Sequence, residues 1–311
     1  MMRRRLIIVL LAVCAIIATR PAAAEVVFPP GLRIGLELPG DLKPSAHFPG
    51  FEDIDRKVSI AIFDLPAGAY PELERAAESK IQFSLIEPKR EDFSFRSGAG
   101  KLIISQAQGA DFKVRRWTLV ATAPADKDLA VLINVDVPYA ALAVYSDAVI
   151  RKALATVTFR PPPIQEQLGL LPFKVDELAG FRVVKVLAPG SVIMTEGPSD
   201  EITKQPFMIV SIGQGAPEQP DDRAKFARDL LSSAPLRELS PQSAESMRIG
   251  GLPGFEIRAQ AKGPGDAPLS LVQWLRFAGG SFIRVVGVGP KKEWDGLFTR
   301  FRAVRDGIAV R

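Results

Sequence analysis

The chain has 311 residues, with 40 Lys and Arg against 35 Asp and Glu, a formal charge of +5. Four of the arginines lie in the first 24 residues, and without them 36 basic side chains face 35 acidic ones. A surface that close to neutral lacks the electrostatic footprint of a nucleic-acid-binding protein. The apolar share of 47% is that of packed globular protein, and the 287 residues after position 24 suffice for two domains.

Residues 1–24 read as an export signal. Arg3-Arg4-Arg5 is the positive start, Leu6 to Ala18 is apolar, and Ala22-Ala23-Ala24 puts small residues before a cut at Glu25. The apolar run of 13 residues is shorter than the roughly 20 of a membrane span, so a retained signal is the only route to the membrane. Cys14 is the single cysteine, and Val13 before it is too bulky for a lipoprotein signal, so it reads as part of the apolar run. The protein is expected in the periplasm or outside the cell, without a disulfide, stabilised by its cores.

After the signal, Gly31-Leu-Arg-Ile-Gly-Leu-Glu-Leu-Pro39 alternates and predicts a strand with one buried face. A polar segment with Glu52, Asp53 and Asp55 leads to a second strand, Val58 to Phe63. Pro71 and Glu72 suit the first turn of a helix with Leu73, Ala76, Ala77 and Ile81 as its apolar stripe. A charged loop is expected from Glu87 to Gly100, then strands at Leu102 to Ala107 and Val114 to Ala121. Leu129, Val131, Ile133, Val135 and Val137 alternate with Asn134 and Asp136, as in a half-buried strand. A helix is predicted from Tyr139, with Leu142, Tyr145, Val149, Ala153 and Val157 at helical spacing. Arg160-Pro-Pro-Pro163 ends it, because three prolines neither continue a helix nor join a ladder.

The second half repeats this order. Ile62 has its counterpart in Ile212, Gln106 in Gln260, Trp117 in Trp274 and Pro138 in Pro290, at offsets of 150, 154, 157 and 152 residues. Offsets that drift only across turns point to a duplication. Each half reads β-β-α-β-β-β-α, and tight strand-to-strand connections favour an antiparallel sheet packed against helices. The expected layout is a signal peptide over 1–24, an α+β domain over 25–160, a proline-rich linker over 161–167 and a second α+β domain over 168–311.

Gly31 to Pro39, the strand Ile60 to Ile62, Arg116-Trp117 and the Pro138 ending together resemble the PsbP-like fold. That fold includes extrinsic photosystem proteins, a Ran-binding import factor and exported bacterial proteins of unknown role. The resemblance covers both halves and implies antiparallel sheets flanked by helices with a binding or assembly role rather than catalysis. It transfers no functional residue to this chain.

Motifs of chemistry are missing from the sequence. His47 is the one histidine, there is no Gly-x-Ser-x-Gly or Gly-x-x-x-x-Gly-Lys, and no cysteine follows the signal. No enzyme activity, cofactor or metal is therefore expected. Glu52, Asp53 and Asp55 lie close enough to collect a hard cation but lack the glycine and terminal glutamate of a calcium loop. A solvated acidic turn is the favoured reading. Trp117 and Trp274 are candidate contacts for a partner or ligand, although mid-strand tryptophans more often serve a core. Two functional classes lead: a non-catalytic binding or assembly protein of the bacterial envelope that holds another protein, or a periplasmic carrier of a small apolar ligand; a hydrolase with a carboxylate site that no motif reports comes third.

Overall fold

The computed structural model describes residues 25–78, 88–108, 113–124, 126–187, 190–234 and 236–311, and side chains over these except 77–78 and 126–128. The signal segment, with Cys14, and Ile81 of the predicted helix stripe lie outside the described residues. The chain is α+β and divides into two units. One comprises the residues up to Pro29 with Ile34–Phe159, the other Pro30–Arg33 with Arg160–Arg311.

In the first unit, β1 (Val26–Val27), β2 (Ile34–Glu37), β3 (Lys43–Pro44), β4 (Gly50–Asp53) and β5 (Val58–Pro66) precede helix α1 (Tyr70–Glu78). Then come β6 (Lys89–Phe95), β7 (Gly98–Gln108), β8 (Lys113–Ala123), β9 (Asp126–Pro138), α2 (Asp147–Leu154) and β10 (Thr158–Phe159). Seven of these strands form an antiparallel sheet in the order β3-β4-β5-β9-β8-β7-β6. The alternation of β9 explains its central place. Leu129, Val131, Ile133, Val135 and Val137 are all buried. On the other face Asn134 accepts from Thr118 Oγ1 at 2.8 Å, and Asp136 takes both the Nε and an Nη of Arg116, at 2.6 and 2.7 Å. Such cross-strand pairs are the unit of sheet stabilisation.

The second unit has α3 (Ile164–Leu170), β11 (Phe173–Val175), β12 (Arg182–Leu187), β13 (Ser191–Thr195), β14 (Phe207–Gln214) and α4 (Pro220–Ser232). It ends with β15 (Arg237–Ile249), β16 (Leu252–Lys262), β17 (Pro268–Ala278), β18 (Ser281–Pro290), α5 (Trp294–Asp306) and β19 (Ile308–Val310). Its seven-stranded sheet runs β12-β13-β14-β18-β17-β16-β15, the same order strand for strand. One face packs Trp274 with Leu297, Phe301 and Val304 of α5, and the other packs Phe255, Ile257 and Leu275 with Ala227 and Leu231 of α4.

The register refines the repeat. Ile62 pairs with Ile133 as Ile212 pairs with Ile283, and Trp117 with Val135 as Trp274 with Val285. The two tryptophans thus hold one position on one strand. The other two matches slip. Ala107, Val114 and Pro138 form the last row of the first sheet, three residues from Trp117; Ala261, Leu269 and Pro290 form that of the second, five residues from Trp274. The three central strands of the second sheet therefore run two residues further. A step of two keeps every side chain on its face.

Several expectations are corrected. The Gly31 strand is only Ile34–Glu37 and joins β1 and β10 in a small separate sheet. Ile34, Gly35 and Leu36 are all buried, so the strand has no solvent face. The charged loop is the edge strand β6, and polar β15 is its counterpart. Edge strands carry charges and prolines that discourage pairing with other chains, and Pro241 adjoins two register shifts in β15. The helix predicted from Tyr139 is broken in two: a 3-10 turn covers Tyr139–Ala141, and the α-helix starts only at Asp147, where Ser146 caps it by accepting from Val149 N. Val157 lies beyond its end. The linker is extended only to Pro163, since α3 begins at Ile164. Residues 30–33 are fastened to this stretch: Arg160 Nε donates to Leu32 O at 2.9 Å, and Gly31 N donates to Glu166 Oε2 at 3.1 Å.

Candidate functional site

The sequence candidates separate in space. Trp117 and Trp274 are both fully buried and present no ring to a partner. Each indole Nε1 donates to a carboxylate, Trp117 to Asp147 Oδ1 at 2.8 Å and Trp274 to Glu256 Oε2 at 2.6 Å. Glu52 faces Ser45 and His47, accepting from the Ser45 hydroxyl at 2.7 Å with His47 Nδ1 at 3.0 Å. The Ser45 hydroxyl and then His47 hold its pKa below the ordinary value. Asp53 turns inward and is 4% exposed, whereas Asp55 is exposed on the following turn. The three carboxylates do not converge. Among the described residues no group of three His, Cys, Asp or Glu side chains is placed to hold a metal ion.

Asp53 instead anchors a buried node. The Tyr145 hydroxyl donates to Asp53 Oδ2 at 2.7 Å and accepts from Asp41 N at 3.2 Å. Arg56 N donates to Asp53 Oδ1 at 3.1 Å, and one Arg56 Nη reaches both Asp53 Oδ2 at 3.0 Å and Asp41 Oδ2 at 2.8 Å. Burial pushes the Asp53 pKa up, but the Tyr145 hydroxyl and the Arg56 donors outweigh it and the net shift is downward. Burial, then the bond to Asp53, lifts Tyr145 to about 12. Gly40 (φ +62) completes the fit, because a Cβ there would stand 2.7 Å from the Tyr145 hydroxyl oxygen.

Over this node lies an open groove of about 780 Å³. Asp55, Arg56 and Lys57 of the β4–β5 turn line one side; Pro138, Tyr139, Ala140, Ala141 and Val144, between β9 and α2, line the other. Gln106 of β7 and Lys113 of β8 complete it. Tyr139 is 48% exposed and Val144 45%, with Ile54 on the adjoining turn 70% exposed. Lys57 holds a positive φ of 55°, a conformation uncommon for a residue with a side chain. The groove sits at the end where the first sheet stops two residues short of the second. A cavity lined by Trp274, Arg276 and Arg305 in the second unit measures only about 10 Å³, too small for a ligand.

Sequence reasoning named Asp53 and Asp55 but missed Arg56, Tyr139 and Val144. An aromatic residue directly after the strand-ending Pro138 was the available signal for Tyr139.

No family model matches the chain, and no curated protein matches it in sequence. In structure the chain is similar to PsbP. The cyanobacterial PsbP of Synechocystis shares 16% identity at a TM-score of 0.33, over 42% of this chain and 82% of that one. LpqN of Mycobacterium tuberculosis, described as involved in cell envelope biogenesis, shares 10% at 0.37, over 44% and 82%. The type VI secretion immunity protein TplEi of Pseudomonas aeruginosa shares 14% at 0.30, over 92% and 96%. These likenesses concern the arrangement of strands and helices and carry no site.

Proposed function

We propose that this protein is an exported, non-catalytic binding or assembly protein of the bacterial envelope, and that the groove of the first unit is its contact. The observation that carries this reading is the groove itself, which is open and shows Tyr139 and Val144 to solvent. Tyrosine and arginine are favoured anchors of protein contacts, and exposed apolar side chains in one place mark interaction surfaces. The nearby carboxylate does not suit acid–base catalysis. Asp53 is committed to Tyr145 and Arg56, and its lowered pKa makes it a poor proton acceptor at neutral pH. The second reading, a carrier of a small apolar ligand, is favoured by volume alone, since about 780 Å³ exceeds the roughly 300 Å³ a ligand needs.

Affinity capture from native envelope with the exported chain tests both readings. Wild-type protein should retain a partner that a Tyr139→Ala, Val144→Asp variant loses, with circular dichroism unchanged because both side chains are exposed. An apolar small molecule extracted from the purified protein, with no partner captured, would establish the carrier instead. Export has its own check. N-terminal sequencing of the exported protein should begin at Glu25, and an intact mass that retains residues 1–24, or a lipid on Cys14, would refute cleavage.

A further inference from the structure

The charges that line the groove are not equally available. Arg56 is shared between Asp41 and Asp53, and Lys57 also has a partner. Asp55 and Lys113 are exposed, and neither has an ionic partner among the described residues. These two stand on opposite sides of an apolar centre. Asp55 belongs to the turn between β4 and β5, Lys113 opens β8, and β9 lies between them in the sheet order. At its end Pro138 leads into the exposed Tyr139.

The rim that carries Asp55 is fixed before any contact is made. Arg56 N donates to Asp53 Oδ1 at 3.1 Å and Lys57 N to Ile54 O at 3.3 Å, which closes the turn across its base. A preformed surface loses less freedom on binding than one that must first order. Ile54, 70% exposed, stands on the same turn. A surface that fills the groove must bring a cation to Asp55, an anion to Lys113 and apolar side chains to the centre. The groove itself meets that description when rotated by half a turn. A closed dimer presents the same patch from both copies, so every contact occurs twice. An axis over Tyr139 then sets Asp55 of each copy against Lys113 of the other. The two Tyr139 rings meet at the centre, where aromatic pairs pack offset or edge to face. Ile54 and Val144 leave water beside them.

We propose that the groove receives a second copy of this chain, in a two-fold dimer closed by two Asp55–Lys113 pairs around Tyr139. This rests on the binding reading above and names its partner. Sedimentation velocity of the exported chain, from about 1 μM to about 300 μM, covers weak reversible contacts. A monomer–dimer equilibrium that stops at two copies is expected. Asp55→Lys alone and Lys113→Glu alone should each weaken it about thirtyfold, since two attractions of surface strength become repulsions. Mixed together, the two variants should form a heterodimer close to wild-type affinity, because both lysines of one then face both acids of the other. Misfolding of a variant would not be cured by mixing. Tyr139→Ala should weaken the wild-type dimer at least about tenfold, and added salt should weaken it too. A wild-type chain that stays monomeric overturns the proposal. So do single variants that dimerise like the wild type, a mixture that stays monomeric, or assemblies that grow past two copies, which are head-to-tail. A monomer that yields an apolar small molecule on extraction overturns it in favour of the carrier. If the chain is monomeric while envelope capture of another protein still depends on Tyr139 and Val144, only this inference falls. If capture is also indifferent to them, the binding reading falls with it.

Discussion

Replacing Trp274 with alanine is expected to cost the second unit about 4 kcal/mol, in the range for a fully buried tryptophan. The ring is closed in on several sides. Phe298 lies 5.8 Å away by ring centroid and the Arg305 guanidinium 4.9 Å away. Trp117→Ala should cost the first unit a similar amount, since Trp117 holds the same place on the same strand. Phenylalanine should separate the two sites. Trp274→Phe leaves Glu256 Oε2 without its indole donor, and Glu256 is only 8% exposed. A buried acceptor left bare costs about 1–3 kcal/mol. Trp117→Phe bares Asp147, whose side chain is 37% exposed and can turn to water, so its loss should be the smaller. Urea unfolding of the four variants by circular dichroism measures this. A loss under about 1 kcal/mol for either alanine variant would place the core elsewhere.

What could be read from the sequence follows from where water lies. Strand β9 was legible because its apolar residues line one buried face while Asn134 and Asp136 line the other. The order of the repeat was legible because Ile62, Trp117 and the strand-ending prolines recur in sequence. Its register was not wholly so. Two extra residues in each central strand of the second sheet leave every face unchanged, so Gln260 and Pro290 match Gln106 and Pro138 by type while sitting one side-chain repeat further along. Edge strands β6 and β15 escaped because a strand with an open edge favours charge and proline, the composition also expected of a loop. Tyr139 was read as a helix start because Leu142, Tyr145 and Val149 follow at helical spacing, whereas only a 3-10 turn, Tyr139–Ala141, forms there. The choice of Ser146 as cap depends on Tyr145 being drawn to Asp53, a contact spanning 92 residues, and no local period reports that. The acidic cluster looked like one feature in sequence, yet the alternation of β4 sends Glu52 and Asp53 to opposite faces.

Asp53→Ala is expected to destabilise the first unit by about 3 kcal/mol, the lower end of the cost of breaking a buried ion pair, because the Arg56 side chain is 39% exposed and its charge partly screened. Tyr145→Phe should cost about 1–2 kcal/mol, since Asp53 keeps both Arg56 donors. The pair shares one hydrogen bond, so the double variant should lose less than the sum of the two. The pH dependence follows from the directions of the two shifts. The folded pKa of Asp53 lies below its ordinary 3.8, so its stabilisation is present above that value and is lost as pH falls through the lower, folded one. That of Tyr145 is raised from 10.0 to about 12, so its stabilisation is complete below pH 10 and is lost as pH rises through about 12. Phenolate absorbance should therefore show one of the three tyrosines ionising late in the wild type. In Asp53→Ala that step should move down only part of the way, because burial, the larger cause, persists. A wild-type chain whose tyrosines all ionise near 10 would show that Tyr145 is not held against the carboxylate. The turn that places Arg56 and Lys57 on the groove would then lack its anchor.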